Sequence, residues 1–198
     1  MVMNLLEQER DHTQEEVVMS IFDIICRLSP ETAYHCMRVS EYSEILAMGI
    51  GMSEDEAKRL GQAALLHDLG KIVIPADIIE KPGKLTQEEY EVVKRHVVHG
   101  YDFLSGATGE TLRLAARIAL EHHERWDGSG YLRERGHSIC PEARIVSVAD
   151  VFDALISERC YKKVWAPDKA KDEIIRNGGT QFAPDVAKVF QRIFCEVA

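Results

Sequence analysis

Apolar residues recur at helical spacing along most of the chain, and this pattern is the first guide to its fold. The first such stripe consists of Val17, Val18, Ile21, Ile24, Ile25 and Leu28. No segment alternates convincingly between apolar and polar residues with a period of two, and Pro75 ends the short apolar run 72–74. The pattern therefore predicts an all-α fold, a single bundle of about seven or eight helices.

Capping signals mark where several of these helices begin. Ser29, followed by proline, opens a helix that we expect to run to about Met48, where two glycines stop it. Two further helices open at Ser53 and Thr86, each followed three residues later by Glu in a capping-box pattern. The irregular stretch 124–141 has a length typical of a functional loop. Helices are predicted near residues 54–68, 87–104, 108–123, 142–158, 168–177 and 185–197.

Length and charge limit the classes of protein to consider. The 198 residues carry a net charge of −9, which argues against a nucleic-acid partner. We expect an N-terminal helix over residues 1–28 and one large domain over residues 29–198. No apolar run approaches the ~20 residues that cross a bilayer, so we expect a cytoplasmic chain without a membrane partner. The five scattered cysteines form no C-x-x-C pair, which disfavours both a disulfide scaffold and a thiolate zinc site.

Pairs of metal-binding residue types stand at the ends of apolar segments. His67 and Asp68 follow two leucines, where an imidazole and a carboxylate are costly to bury unless something pairs with them. A second pair, His122 and His123, follows downstream, and Asp150 lies within another apolar segment. Metal ions are the simplest explanation for several such groups in one domain. The residue types therefore predict a metal-dependent hydrolase.

The candidate ligands are too many for one ion. They are Glu31, His35, His67, Asp68, His96, His122, His123 and Asp150. Imidazole and carboxylate without sulfur favour iron or manganese over a structural zinc. An octahedral ion takes about six donors, several of them water or substrate. Two ions bridged by Asp68 fit better, and Glu31 leaves room for a third. Spacing alone leaves His96 and His99 as competitors, and Glu31 is equally explained as an ordinary acid at a helix start.

Four motifs occur in the order and spacing of a known family. They are 67–71 (HDLGK), 94–96 (KRH) with Gly100, 122–131 (HHERWDGSGY) and 149–155 (ADVFDAL). Over roughly residues 30 to 195 the sequence resembles the HD-GYP phosphodiesterases, a branch of the HD metal-dependent phosphohydrolases. The resemblance implies an all-helical bundle, a centre of two or three metal ions that is usually iron, and activity on cyclic di-GMP.

The resemblance also assigns roles to individual residues. It implies metal ligands at His35, His67, Asp68, His96, His122, His123 and Asp150, which favours His96 over His99. Glu31 matches the acid of members that hold three metals. Contacts to substrate phosphate, or support of the site, are implied for Lys71, Asp153, Arg159 and Lys162. We expect Tyr131 to stack on a base, Glu124 and Asp153 to orient ligand imidazoles, and Asp127 to lie with Glu124 in the supporting layer.

Two positions depart from the family pattern. The signature Gly-Tyr-Pro is replaced by Gly130-Tyr131-Leu132, and Cys160 stands where proline is common. Proline would fix the backbone after Tyr131, whereas leucine leaves it freer. Both departures lie around the substrate and not among the ligands, so they bear on nucleotide preference and turnover.

The sequence thus predicts a phosphodiesterase that converts cyclic di-GMP to linear pGpG or GMP. A hydroxide bridging two ions would attack phosphorus, with Asp68 and Lys71 at the catalytic centre. Two alternatives stay open: an HD hydrolase acting on another cyclic dinucleotide or a nucleotide monoester, and a non-catalytic ligand-binding signalling module. The N-terminal helix is a candidate for contact with a signalling partner or a second copy of the chain.

Overall fold

The protein is helical throughout the part of the chain that the structure describes. The structure, a computed structural model, describes residues 2–157 and 164–195, with side chains described from Gln14 to Phe194. Ten α-helices occur in these ranges: α1 (Val2–Leu28), α2 (Pro30–Ile50), α3 (Glu54–Ala64), α4 (Ala76–Ile79), α5 (Gln87–Lys94), α6 (His96–Ser105), α7 (Glu110–Glu121), α8 (Pro141–Ile156), α9 (Pro167–Arg176) and α10 (Pro184–Cys195). Eight of them have ten or more residues, and no β-strand lies within the described ranges. The predicted all-α bundle of about seven or eight helices is confirmed.

Helix α2 begins where the sequence predicts and ends later than expected. The Ser29 hydroxyl accepts a hydrogen bond from the backbone N–H of Thr32 at 3.3 Å. At the other end, Gly51 has a φ of 105°, a left-handed conformation that suits glycine and closes the helix after Ile50. Gly49 lies inside α2, where a side chain would clash with α10. This glycine therefore serves helix packing and does not end the helix.

Three predicted helices differ from expectation in ways that concern the site, and the one expected over 108–123 ends at Glu121, before His122 and His123. The helix expected over 54–68 ends at Ala64, and a turn followed by a 3₁₀ helix (Leu69–Val73) carries the chain onward. The helix expected over 87–104 is two helices that meet at Arg95. The Arg95 N–H bonds the carbonyl three residues back, which tightens the chain there.

One large core holds the bundle together, with α2 packed against α3, α8 and α10. Its fully buried members include Leu46, Leu60, Ile118, Val148 and Phe190. The second half of α1 contributes to the same core through Val18, Phe22 and Ile25. None of the described helices combines the length and apolarity needed to cross a bilayer.

A close backbone contact fixes the turn after α3 against α6. A Cβ at Gly70 would overlap the backbone carbonyl of His96 and lie 2.5 Å from the backbone nitrogen of Gly100. Only glycine allows this approach. The contact brings the residues just before Gly70, His67 and Asp68, beside the first turn of α6.

Candidate metal centre

Seven predicted ligands meet at one place in the bundle and form two groups. The ligand atoms within each group lie within 4.8 Å of one another. The first group, which we call group A, is Asp68, His96, His122 and His123. The second, group B, is His35, His67 and Asp150. All seven are buried except His123, which is half-buried. Residues from α2, α6 and α8 and from the turns after α3 and α7 thus converge although they are far apart in sequence.

Three of the imidazoles are held by the backbone in one tautomer. The Nδ1 atoms of His67, His96 and His122 lie 2.8, 2.7 and 3.0 Å from a backbone carbonyl oxygen three or four residues earlier. A carbonyl oxygen only accepts, so Nδ1 carries the proton and donates it. The Nε2 atoms are then unprotonated, and their lone pairs face the centre of the cluster.

Several of these inward atoms have no hydrogen-bond partner among the described residues. Nε2 of His67 and Oδ1 of Asp68 are buried and unsatisfied. The Nε2 atoms of His96 and His122 lie 3.4 Å apart, with no proton available to join them. Buried lone pairs that face one another are unfavourable unless a cation lies between them. The donor set therefore fits metal ions.

The electrostatics of the cluster also favour a cation. Burial lowers the pKa values of His96 and His122 to about 4, so both imidazoles are neutral near pH 7. Burial would raise the pKa of Asp68, but Lys71 and the surrounding imidazoles bring it well below the usual value. The pKa of Asp150 is likewise well below its usual value, because His35 outweighs the effect of burial. The cluster thus offers neutral nitrogens at His96 and His122 and charged oxygens at Asp68 and Asp150.

Asp68 lies between the two groups. Its Oδ1 is 3.5 Å from Nε2 of His96 and 3.8 Å from Nε2 of His122, both in group A. Its Oδ2 is 3.5 Å from Nε2 of His67 and 3.9 Å from Nε2 of His35, both in group B. One carboxylate therefore presents one oxygen to each group, which is the arrangement a bridging ligand needs.

A cavity of about 730 Å³ opens beside group B. His35, Asp68, Lys71 and Glu31 line it, together with apolar side chains of α1, α4 and the 3₁₀ helix. The Lys71 ammonium donates to Oδ2 of Asp68. Glu31 is exposed and belongs to neither donor group, so the predicted third-metal acid lies at the cavity wall outside the cluster.

Tyr131 packs beside the other side of the cluster. Its ring centroid is 4.7 Å from that of His123, and the Lys94 ammonium lies 5.5 Å from the Tyr131 ring. Tyr90, whose ring is 6.2 Å from that of Tyr131, completes this small aromatic patch. The sequence reasoning assigned no role to Tyr90 or Lys94, because nothing in their spacing relates them to Tyr131.

Glu124 and Asp127 were expected to support the metal ligands, but both bind the backbone of the loop after His123 and not an imidazole. The Glu124 carboxylate accepts the backbone N–H groups of Leu132 and Glu134 at 2.7 and 2.6 Å. Asp127 is exposed and accepts the backbone N–H and hydroxyl of Ser129 at 2.9 and 2.6 Å. Neither makes the expected ligand contact among the described hydrogen bonds. Both fix the local backbone of the loop instead.

Asp153 is a hydrogen-bond partner of one predicted metal ligand, His35. It is fully buried, and its Oδ2 accepts Nδ1–H of His35 at 2.6 Å. This is the imidazole contact expected of it, and the carboxylate does not line the cavity.

His96 lies in group A, while its competitor His99 is half-buried and belongs to neither group. Arg159, Lys162 and Cys160 lie outside the described residues.

Cys36 is a neighbour of the cluster that the sequence reasoning did not single out. Its thiol lies with His67 and Asp68 within 4.8 Å. Burial raises the pKa of this thiol well above its usual value, so it stays protonated. A protonated thiol is a poor metal ligand, and Cys36 acts as a packing residue against the cluster.

Known proteins are similar to this chain in sequence and in fold. A family model described as HD domain matches residues 1–186. The chain is 38% identical over 188 residues to the 3'3'-cGAMP-specific phosphodiesterase 2 of Vibrio cholerae, covering 94% of this chain and 36% of that protein. It is 48% identical over 148 residues to the cyclic di-GMP phosphodiesterase response regulator RpfG of Xanthomonas campestris, covering 74% and 39%.

A third relative and one solved structure extend this comparison. A cyclic di-GMP phosphodiesterase of Thermotoga maritima is 42% identical over 190 residues, covering 92% of this chain and 51% of that protein. The chain thus spans between about a third and half the length of these curated relatives. The HD domain of the L. monocytogenes phosphodiesterase PgpH, solved with cyclic-di-AMP, superposes with a TM-score of 0.66 at 17% identity, covering 87% of this chain and 92% of that one. At that identity the likeness concerns the fold alone.

Proposed function

The chain belongs to the HD domain family, and on that premise we propose that it is a metal-dependent phosphodiesterase that hydrolyses a cyclic dinucleotide. Its relatives confirm the resemblance to HD-GYP phosphodiesterases. The observation that carries the proposal is Asp68, which presents one carboxylate oxygen to each of two donor groups. Two adjacent cations are the arrangement that in-line cleavage of a phosphodiester uses.

In the proposed reaction, the residues of the site would have the following roles. Groups A and B would each hold one ion, and Asp68 would join them. When bound, the ions would lower the pKa of a shared water, whose hydroxide would bond to phosphorus as the bond from phosphorus to the departing sugar oxygen breaks. Lys71, on the wall of the cavity beside Asp68, would neutralise charge on the phosphate oxygens in the transition state.

The rest of the substrate would be held by residues around the cluster. Tyr131, packed beside His123, would offer its ring to a base. Arg159 and Lys162 would bind the second phosphate, for which a guanidinium fork suits two oxygens at once. Their place in this scheme is what the resemblance to the HD-GYP phosphodiesterases implies.

The substrate we propose first is cyclic di-GMP, cleaved to linear pGpG or GMP. Two of the three relatives above are named for that activity. The relative from Vibrio cholerae is named for 3'3'-cGAMP, which makes a mixed dinucleotide the second candidate. Leu132 replaces the family proline beside the base-facing Tyr131, so this region is where a different base preference would arise.

The metal we propose is iron, with manganese as the alternative, because the donors are imidazoles and carboxylates. Two ions match the two donor groups. A third would need Glu31, which lines the cavity next to His35 and would have to turn toward the cluster.

Helix α1 is the proposed contact for a signalling partner or a second copy of the chain. Val17, Ile24 and Leu28 lie along one side of this helix and are 40%, 45% and 63% exposed. The boundary between an N-terminal helix at 1–28 and the main domain at 29–198, and the cytoplasmic location, stay predictions.

A product assay tests the proposed function. The chain, loaded with iron or manganese without air, is incubated with cyclic di-GMP, 3'3'-cGAMP and a nucleotide monoester, and the products are separated by chromatography. We expect hydrolysis of a cyclic dinucleotide, and its loss in His96→Ala but not in His99→Ala, a histidine of the same helix outside both groups. Binding without turnover would favour the non-catalytic alternative, and cleavage of the monoester alone would favour a different HD hydrolase.

A further inference from the structure

One imidazole of group B, that of His35, is held differently from the imidazoles of His67, His96 and His122. Nδ1 of His67, also in group B, and Nδ1 of His96 and His122 in group A donate to backbone carbonyls three or four residues earlier. In group B, Nδ1 of His35 bonds instead to the side chain of Asp153, at 2.6 Å. A helix carbonyl is fixed by the helix itself, whereas a side-chain carboxylate keeps its place only if something else holds it. The orientation of His35 therefore depends on whatever holds Asp153.

Arg38 is the group that holds Asp153. Its Nε donates to Oδ1 at 2.5 Å and its Nη2 donates to Oδ2 at 3.0 Å, so the guanidinium meets the carboxylate as a fork. The Ser157 hydroxyl adds one bond to Oδ1 at 3.0 Å. The charge of this buried carboxylate is thereby balanced: burial would raise the pKa of Asp153, but His35 and Arg38 lower it to about 2.

The spacing of these residues along α2 and α8 places them on two helix faces that contact each other. His35 and Arg38 are three residues apart on α2, and Asp150 and Asp153 are three residues apart on α8. Each pair therefore lies on one face of its helix, and the two faces meet. Asp150 Oδ1 lies 3.1 Å from Nε2 of His35, while Asp153 contacts the opposite side of the same ring.

We propose that Arg38 is a positioning residue for the group B metal ion, acting on His35 through Asp153. This inference rests on the proposed metal-dependent function. Arg38 fixes the position of the Asp153 carboxylate, and that carboxylate fixes the orientation of the His35 ring. The orientation of the ring then directs Nε2 at the ion. Lysine cannot replace it fully, because an ammonium has no planar fork to hold both carboxylate oxygens. The group A ion has no such dependence.

The competing explanation is direct contact between Arg38 and the substrate. The guanidinium lines the same cavity as Lys71, and the Arg38 side chain is 39% exposed. Two of its N–H groups, on Nη1, are outside the fork. A contact of this kind would raise KM without changing the affinity for metal, so the two roles are separable by measurement.

The test is a titration of the metal-free full chain with Mn²⁺, for the wild type and for Arg38→Gln. The EPR signal of free Mn²⁺ measures how much of the ion stays unbound at each step. We expect two binding events in the wild type. In Arg38→Gln we expect one of them to weaken about 10- to 100-fold, as is typical when a group behind a ligand is removed. The other should stay within about twofold. Arg38→Lys should recover part of the loss, and excess Mn²⁺ should restore part of kcat in both variants.

Arg59→Gln is the matched control. It removes the same charge from an arginine of α3 that pairs with Glu110 of α7 at 3.0 Å and belongs to neither donor group, and it should leave both affinities unchanged. Thermal unfolding and circular dichroism check that each variant is folded. If Arg38→Gln does not fold, Arg38→Lys and Asp153→Asn carry the same comparison.

Four results would overturn the inference. They are a single Mn²⁺ event in the wild type, unchanged affinities in Arg38→Gln, equal weakening of both events, and a rise in KM alone. A wild type that binds two Mn²⁺ but hydrolyses no cyclic dinucleotide would contradict the proposed substrate. The comparison of metal affinities would then still decide the role of Arg38.

Discussion

The metal centre and the loop that follows it are built by opposite means. In the centre, helices and the turns that follow α3 and α7 carry the ligands, and backbone carbonyls orient His67, His96 and His122, all nearly or fully buried. In the loop after His123, the side chains of Glu124 and Asp127 hold the backbone, and Leu132 is 41% exposed. The difference indicates that the fold itself fixes the donor groups, whereas under the proposed function substrate preference would depend on a loop held by side chains. Substitutions in the two regions should therefore have separable effects.

Asp68→Asn should show the strongest effect on the centre. An amide has only one oxygen to share and no negative charge, so it cannot join the two ions as a carboxylate does. We expect kcat to fall at least about 1000-fold, equivalent to about 4 kcal/mol of lost transition-state stabilisation. Asp168→Asn, at a side chain that is 94% exposed, is the control and should keep wild-type turnover. Full activity in Asp68→Asn would contradict the bridging role.

Gly70→Ala tests the backbone contact that places the turn against α6. The new methyl group would overlap the carbonyl of His96 and force the two segments apart. We expect the free energy of unfolding to fall by about 1–3 kcal/mol and turnover to fall about 100-fold, because ligands displaced by an ångström lose their alignment. Gly106→Ala, where a Cβ meets nothing within 4 Å, should change neither quantity appreciably. Equal behaviour of the two variants in denaturant titration would refute the close-contact account.

Glu124→Gln should affect the loop and spare the centre. The amide keeps one acceptor oxygen, so one of the two charge-assisted bonds to Leu132 and Glu134 is lost. We expect KM to rise about 3- to 10-fold, for a cost of about 1 kcal/mol, while metal content measured by mass spectrometry stays at the wild-type level. Glu134→Gln, which alters an exposed side chain of the same loop, should leave KM unchanged. Loss of metal in Glu124→Gln would show that the two regions are not separable.

Leu132→Pro, which restores the residue typical of the family, should have the smallest effect on stability. Proline has no N–H, so the 2.7 Å bond from Leu132 to Glu124 disappears, at a cost of about 1 kcal/mol. Proline also reduces the freedom of the unfolded chain, which stabilises by about 0.4–1 kcal/mol where the backbone fits. The free energy of unfolding should therefore stay within about 1 kcal/mol of the wild type. A larger loss in chemical denaturation would mean that this backbone conformation excludes proline.

The sequence predicted the fold class and the meeting of the ligands because both follow from strong local signals. Helical spacing and capping pairs place the helices, and the capping box at Ser53 and Glu56 is present in the structure. The histidine and aspartate pairs are costly to bury separately, so their burial implied a common partner. These inferences needed no knowledge of how the helices pack.

The features that could not be predicted from the sequence depend on contacts between distant segments of the chain. The break at Arg95 divides a segment whose spacing is helical throughout, so no local signal marks it. Glu124 is adjacent to a ligand in sequence, yet its carboxylate faces the loop that returns eight residues later. Arg38 resembles an ordinary helix-surface arginine until α8 brings Asp153 against it. Such roles are fixed by tertiary packing and are visible only once the helices are assembled.

The most direct test of the account is anomalous diffraction from crystals of the chain loaded with Mn²⁺. The account predicts two peaks about 3.5–4 Å apart, one on group A and one on group B, with Asp68 between them. A third peak beside Glu31 would agree with the account. A single peak, or two peaks that do not share Asp68, would contradict it.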